Sequence, residues 1–262
     1  MILVVRHSRF LVAVLAALAV SCRSTAPPAV IDPAMASCVP PGTLVLAGLD
    51  AAALRSSPLS QKLPLVAPFL ETFHDATDLL IAFDGKEILT VARGAFSAAP
   101  ANATRVGSGL ALSGSDSAIR AALAQHQRGS AARSPLLSAA QSVAAGKAIW
   151  IVAQGGVALP LTGNAANLNR LLRDSEFGAL SASLGPPIRI EATALGRTPE
   201  AARDVEETLR AVLAMMAMAE KRGSDTAGLL SAVAINRDGR TVHAAVAATP
   251  DTLGKLLAPL GQ

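Results

Sequence analysis

The sequence predicts an α+β fold in which an antiparallel sheet carries helices on one face, and three observations favour it. Of the 262 residues, 51% are hydrophobic, which is enough apolar content for a large core. Short apolar stretches are bounded by turn signals, of which Asp84-Gly85 is the strongest, because a tight hairpin turn needs positive φ. Stretches with apolar residues at helical spacing separate these strands.

The first half of the predicted domain begins with the apolar strand "GTLVLAGLD", whose Asp50 is expected to cap a short helix. A second helix over "SQKLPLVAPFLETFH" is interrupted by Pro64 and Pro68. Two strands then flank the turn in "DLLIAFDGKEILTVARG". A further strand, "GSGLALSG", leads into the helix "SDSAIRAALAQHQ", where Asp116 is expected to cap, and "SPLLSAAQSVAAG" predicts another helix.

The second half begins with the strand "KAIWIVAQ", continues through a helix over "NAANLNRLLRDSEFGAL" and returns as the strand "PPIRIEATALG". Its longest helix is predicted over 199–222, because Thr198 can cap it, Pro199 suits its first turn and Gly223 can end it. Four charged side chains form i,i+4 pairs on this helix: Arg203 with Glu207, and Glu206 with Arg210. The hairpin "SAVAINRDGRTVHAAVAA" and the helix "TPDTLGKLLAPL" complete the chain.

Two distant stretches share one plan. In "LALSGSDSAIRAAL" and "AAVAATPDTLGKLL", a strand passes through a small polar turn into an apolar helix, and Asp116 matches Asp251. We therefore predict two diverged β-α-β-β-β-α repeats, over 42–146 and 147–262, with the helix 199–222 inserted in the second.

Residues 1–21 are typical of a secretory signal, with Arg6 and Arg9 before eleven apolar residues, too few to span a bilayer. The four residues "AVSC" at 19–22 resemble the lipobox of bacterial lipoproteins, although Ala19 replaces the usual leucine. The resemblance implies cleavage before Cys22, a diacylglycerol on its thiol and a membrane anchor. It also implies an exported protein of the cell envelope, and Arg23 in place of the aspartate that signals inner-membrane retention favours the outer membrane or the periplasmic face.

Residues 22–41, rich in Ala, Ser and Pro, are predicted to be a flexible tether. Ordinary secretion is the alternative, with Cys22 paired to Cys38, the only other cysteine. A thioether and a disulfide cannot share one sulfur, so the two readings exclude each other. Lipidation leaves Cys38 as a lone thiol, which we expect to be buried at the edge of the domain.

The stretch "VPPGTLVLAGLDAAALRSSPLSQKL" resembles a loosely defined group of bacterial exported proteins, in which a strand ending in Gly-hydrophobic-Asp leads to a helix with "LRxSPL". The resemblance covers residues 39–146. It implies an antiparallel sheet with helices on one face, and it carries no assigned activity.

Charge and composition argue against nucleic acid as a partner. The formal net charge is +4, but removal of Arg6 and Arg9 with the signal leaves 21 basic residues against 19 acidic ones. The chain has no tyrosine and one tryptophan, so stacking platforms and a basic groove are both missing.

No catalytic, cofactor or metal site is predicted. The histidines that remain after the signal, His74, His126 and His243, lie far apart and in no metal-ligand spacing. The chain contains neither a GxSxG elbow nor an SxxK motif. Asp75 and Asp78 in "HDATD" are interpreted as turn residues rather than as paired carboxylates.

Three methionines in "AMMAMAE" form the most distinctive local pattern. We expect Met216 to pack in the core, while Met215 or Met218 offers an adaptable apolar contact to a partner. The chain is therefore interpreted as a non-catalytic envelope protein that acts by binding or assembly, through sheet edges and the helix 199–222. The alternatives are a carrier of lipid or another hydrophobic ligand, and a hydrolase whose residues meet only in space.

Overall fold

Ten antiparallel strands form one continuous sheet in the computed structural model, which describes residues 31–60, 66–129, 131, 134–159, 168–220 and 223–257. The strands are β1 Val45–Asp50, β2 Ala76–Phe83, β3 Ile88–Gly94, β4 Ala103–Val106, β5 Leu110–Gly114, β6 Ile149–Gln154, β7 Ser175–Ser183, β8 Ile188–Gly196, β9 Ala234–Asp238 and β10 Thr241–Ala248. The helices are α1 Pro33–Ala36, α2 Ala51–Ser56, α3 Ala67–Thr72, α4 Asp116–Gln127, α5 Pro135–Ala144, α6 Leu168–Arg173, α7 Pro199–Ala219, α8 Asp225–Ser231 and α9 Pro250–Leu257. The α+β prediction is thereby confirmed.

The strand order is the same on both sides of the sheet centre. The order is β4-β5-β3-β2-β1-β6-β7-β8-β10-β9, so β1 pairs with β6 in the middle. From the centre outward, the first half follows the order β1, β2, β3, β5, β4. The second half follows the equivalent order β6, β7, β8, β10, β9. Each described half thus contributes five strands, where the sequence predicted four. A common origin of the two halves stays a prediction.

Helices cover both faces of the sheet, so the prediction of helices on one face was wrong. Leu46 and Leu49 lie on opposite faces of β1, because successive strand residues alternate. Leu46 packs in one core cluster with residues of α1, α4 and α5, which we call the first face. Leu49 packs with α2 and α3 on the second face. The register places α6 to α9 on this second face too, over β8 and β10.

Several local signals are confirmed. The carboxylate of Asp50 accepts a hydrogen bond from the Ala53 N–H at 2.8 Å and caps α2. Thr198 caps α7, with Pro199 in the first turn. The two predicted ion pairs on α7 form at 3.5 Å and 2.9 Å.

The caps of two other helices are hydroxyls rather than the predicted aspartates. The Ser115 hydroxyl accepts from the Ala118 N–H, and that of Thr249 accepts from the Thr252 N–H. Asp116 and Asp251 lie one and two residues further on, in the first turn of their helices, where a negative charge still complements the helix dipole.

The hairpin at Asp84 forms, but its loop is longer than predicted. Four residues separate Phe83 from Ile88, and of these only Gly85 has positive φ. The Asp84 carboxylate accepts hydrogen bonds from the backbone N–H groups of Lys86 and Glu87, both at 2.8 Å. These two bonds lower the pKa of Asp84, and the bond from Glu87 contributes most to the shift.

The prediction of a tether over 22–41 fails in its described part, from residue 31 onward. Asp32 caps α1, and Ile31, Met35 and Val39 are buried in the core cluster of the first face. Composition pointed to a linker, but these apolar side chains are spaced to pack against the sheet. Residues 22–30 lie outside the described range.

The predicted helix over 164–180 divides into two elements. Residues 168–173 form α6, whereas Ser175–Ser183 form β7, and residues 164–167 lie outside the described range. Phe177 and Ala179 pack against the first-face core while Leu180 points to the opposite face, so burial alternates as in a strand. The helix predicted over 199–222 is observed as Pro199–Ala219. Among the described helices, none is both long and apolar enough to span a membrane.

Candidate functional site

A cavity of about 240 Å³, here called the charged pocket, opens on the first face where β1, β2 and β3 meet the segment before α1 and the loop after α5. Its polar lining comprises Asp32, Asp50, Asp78, Arg93, Lys147 and Trp150. Ile31, Met35 and Leu80 supply apolar walls. The pocket therefore combines apolar walls with five charged groups.

Trp150, the only tryptophan of the chain, forms one wall of the charged pocket. It pairs across β1 and β6 with Gly48, and a Cβ at Gly48 would collide with the indole ring. The glycine thus provides the space into which the nitrogen-bearing edge of the ring fits. Trp150 is 6% exposed, no residue in the described part of the chain accepts a hydrogen bond from its indole N–H, and the nitrogen itself remains accessible to solvent.

Two of the charges in the pocket are cations with anionic partners. Arg93 donates from Nε to Asp32 at 3.1 Å, which links β3 to the segment before α1. Lys147 donates from Nζ to Glu191 at 2.6 Å, which links the loop after α5 to β8. Each cation is thereby held by one carboxylate.

Asp50 and Asp78 face each other directly across β1 and β2. Like charges at this position destabilise a sheet. One oxygen of Asp50 caps α2, and one oxygen of Asp78 accepts from the Thr77 hydroxyl at 2.8 Å. No described lysine, arginine or histidine nitrogen lies within 4.0 Å of either carboxylate. The pocket therefore holds two neighbouring carboxylates with no described protein cation within 4.0 Å, and Arg93, the cross-strand partner of Asp78, pairs with Asp32 instead.

In the part of the chain that the structure describes, the second face carries a partly exposed apolar surface in the middle of the sheet. We define the central strip as Ile81, Ala47, Ile151 and Leu180, which are consecutive cross-strand partners on β2, β1, β6 and β7. Ile81 and Ala47 are half-buried, whereas Ile151 is 37% and Leu180 is 46% exposed.

Helices border the central strip on both sides. Ile81 packs against the cluster that contains α2 and α3. Beyond Leu180, its partner Ala192 packs against the cluster that contains Leu209 and Leu213 of α7. The strip is thus an apolar part of the sheet surface that lies between two groups of helices.

All three methionines of α7 are exposed. The prediction of a core position for Met216 was wrong, because the packed side of α7 ends at Leu213 and the last turn extends beyond it. Met218 is the most exposed, at 78%. Contact of Met215 or Met218 with a partner stays a prediction.

Each predicted histidine has one polar neighbour: His126 with the Ser37 hydroxyl at 2.7 Å, His243 with the Thr193 hydroxyl at 3.3 Å, and His74 with the Asp75 carboxylate at 2.8 Å. Ser37 is buried and its hydroxyl donates to the Ala34 carbonyl, so the hydroxyl satisfies a carbonyl group in the last turn of α1. No histidine in the described ranges contacts both a hydroxyl and a carboxylate. The same ranges hold no group of three His, Cys, Asp or Glu side chains that could bind a metal ion.

Sequence reasoning missed the charged pocket. It interpreted Asp50 as a cap and Asp78 as a turn residue, and the opposition of the two depends on the register of β1 against β2. The one available signal for the pocket was Gly48, because a glycine inside an apolar strand often marks a place where another group approaches the backbone closely.

Comparison with known proteins identifies the fold and no family. No protein-family model matches the chain, and no curated protein matches it. Crystal form I of TP0453 is similar in structure, with a TM-score of 0.50 and 11% identity over 89% of this chain and 100% of that chain. Crystal form III of TP0453 gives 0.51 and 11% over 87% of this chain and 98% of that chain. At this identity the similarity concerns the fold alone.

Proposed function

We propose that this chain is an exported, lipid-anchored and non-catalytic protein of the cell envelope, which binds a protein partner through the central strip. The observation that carries the proposal is the exposed pair Ile151 and Leu180 in the middle of a ten-stranded sheet. Central strands normally bury their large apolar side chains, and uncovered apolar surfaces bounded by other elements commonly mark interaction sites.

The sheet edges are weaker candidates for the partner surface. The outer strands β4 and β9 are four and five residues long, and β9 carries Arg237 and Asp238. Short, charged edges disfavour the addition of a further strand. The strip is therefore the better site for an apolar partner surface.

The proposed lipid is attached to Cys22, which lies outside the described residues. The burial of Cys38 supports this proposal indirectly. The Cys38 thiol is free and fully buried beneath α1, and burial raises its pKa to about 11. A thiol in that position is not available to the sulfur of Cys22. We therefore propose that Cys22 carries a diacylglycerol and that the anchored protein lies at the outer membrane or the periplasmic face.

A carrier of hydrophobic ligands has less support. Of the two cavities described, the charged pocket is small and polar, and the other, of about 470 Å³, lies beside α5 and is lined partly by Ser134, Ser138 and Gln141. A carrier requires an apolar cavity that encloses most of its ligand. A hydrolase has less support still, because the histidine neighbours found above do not assemble a nucleophile, a base and an orienting carboxylate.

Site-specific photocrosslinking in the intact envelope tests the proposal. A photoreactive phenylalanine analogue replaces Leu180 in the strip or, as a control, Asn236, which is exposed on the first face. We expect a discrete protein adduct from position 180 and none from position 236. Lipid adducts alone at position 180 would support the carrier, and equal adducts from both positions, or none, would contradict the proposed binding surface.

A further inference from the structure

The electrostatics of the charged pocket favour a positively charged ligand. Asp32 and Glu191 neutralise Arg93 and Lys147, so the charge that remains is that of Asp50 and Asp78. Each of these two carboxylates keeps one oxygen that accepts no hydrogen bond from a described group. Two opposed carboxylates next to a cavity attract a cation, because an ammonium between them relieves their mutual repulsion.

The indole of Trp150 adds a second requirement. A buried tryptophan ordinarily finds an acceptor for its N–H. Trp150 is 94% buried as a residue, no described residue accepts from its N–H, and the nitrogen itself remains accessible to solvent next to the cavity. Its nitrogen-bearing edge lies against Gly48, and both residues line the cavity. A ligand that satisfies this donor must present an acceptor close to its positive charge.

We propose that the charged pocket binds a small primary amine that carries a hydrogen-bond acceptor beside its ammonium group. The ammonium donates to Asp50 and Asp78, the acceptor receives the N–H of Trp150, and the apolar wall at Leu80 contacts the carbon skeleton. The volume of about 240 Å³ lies below the range of about 300–1,000 Å³ usual for drug-sized ligands, so the ligand is small. An α-amino amide has this chemistry, either as a free molecule or as the N-terminus of a peptide.

The pocket contains the only tryptophan of the chain, so intrinsic fluorescence reports on it directly. L-leucinamide is the probe, with isothermal titration calorimetry as a second measurement. Two analogues each remove one group: 4-methylpentanamide lacks the ammonium, and 3-methylbutylamine lacks the amide. We expect saturable binding of leucinamide, weaker binding of the amine and no binding of the uncharged amide.

The variant Asp78→Asn tests the carboxylate, because asparagine keeps an acceptor for Thr77 and removes the charge. Loss of a charge-assisted hydrogen bond should weaken leucinamide binding at least about tenfold. Asp116→Asn, in the first turn of α4 and outside the pocket, is the matched control and should bind as the parent chain does. Circular dichroism melting verifies that the variants fold, and Asp50→Asn, which retains a capping residue, provides a second test.

Three results would overturn the proposal: no saturable fluorescence change or heat with leucinamide, equal binding of 4-methylpentanamide, or undiminished binding by both folded aspartate variants. A tripeptide amide that begins with leucine distinguishes the two sources of the chemistry. Tighter binding than leucinamide indicates a peptide N-terminus, and exclusion of the tripeptide indicates a free amine. The photocrosslinking result at Leu180 is independent of all these outcomes, because the strip lies on the opposite face.

Discussion

Replacement of Gly48 by alanine should displace the indole of Trp150 from its position. Gly48 and Trp150 are direct partners across β1 and β6, and the new Cβ would collide with three ring atoms at once. The ring cannot give way easily, because Trp150 belongs to the buried cluster that α5 covers. The substitution thus forces a large rigid side chain, or the strand beneath it, to move.

The magnitude follows from two opposing effects. Overpacking of a well-filled core costs about 1–3 kcal/mol. Gly→Ala stabilises by about 0.4–1 kcal/mol through the unfolded chain where the folded state accepts the methyl group. The expected net loss for Gly48→Ala is therefore about 1–2 kcal/mol. At Gly42 a Cβ would meet no atom within 4 Å, so Gly42→Ala isolates the unfolded-state effect and serves as the control.

Urea unfolding followed by circular dichroism measures this loss, and tryptophan emission measures the displacement. We expect a lower unfolding midpoint and red-shifted emission for Gly48→Ala, with neither change for Gly42→Ala. If Gly48→Ala is as stable as the parent chain and its emission is unchanged, the result would contradict the contact between the indole and Gly48. It would also contradict the role of Trp150 as a wall of the charged pocket.

Three further predictions concern other parts of the molecule. Leu180→Thr should change stability by less than about 0.5 kcal/mol, whereas Val152→Thr, at a fully buried position, should cost about 1–3 kcal/mol in urea unfolding. Hydrogen bonds from Arg210 lower the pKa of Glu206, so its contribution to stability is present above the ordinary carboxyl range and is lost as the pH falls through the folded pKa. The difference in unfolding midpoint between the parent chain and Glu206→Gln at pH 7 should therefore shrink as the pH falls below the ordinary carboxyl range. A thiol reagent should label Cys38 only as the chain unfolds, and rapid labelling of the native protein would contradict its burial.

The accuracy of the sequence-based predictions depends on whether the signal is local. The cap of α2 and the ion pairs of α7 are formed by residues three or four positions apart, and these predictions are confirmed. The strand β7 was predicted as a helix, because "LNRLLRDSEFGAL" has helical spacing and its strand character comes from pairing with β6 and β8. Tertiary pairing overrode the local preference.

The two faces of the sheet were unpredictable for the same reason. The sequence predicts α2 directly after β1 but not the face of the sheet on which it lies, because the face depends on the tertiary partners of its side chains. The charged pocket is a product of register: Asp50 meets Asp78, and Gly48 meets Trp150, only in the observed alignment of β1 with its neighbours. The core role of residues 31–39 was concealed by their proline- and alanine-rich surroundings.

The intact mass of the mature chain, extracted from its own envelope in mild detergent, tests the central claim of a lipid-anchored envelope protein most directly. We expect a chain that begins at Cys22 and carries the added mass of a diacylglycerol and an acyl group. An unmodified chain two hydrogens light would mean a disulfide between Cys22 and Cys38. That result would contradict the anchor and the buried free thiol of Cys38 together.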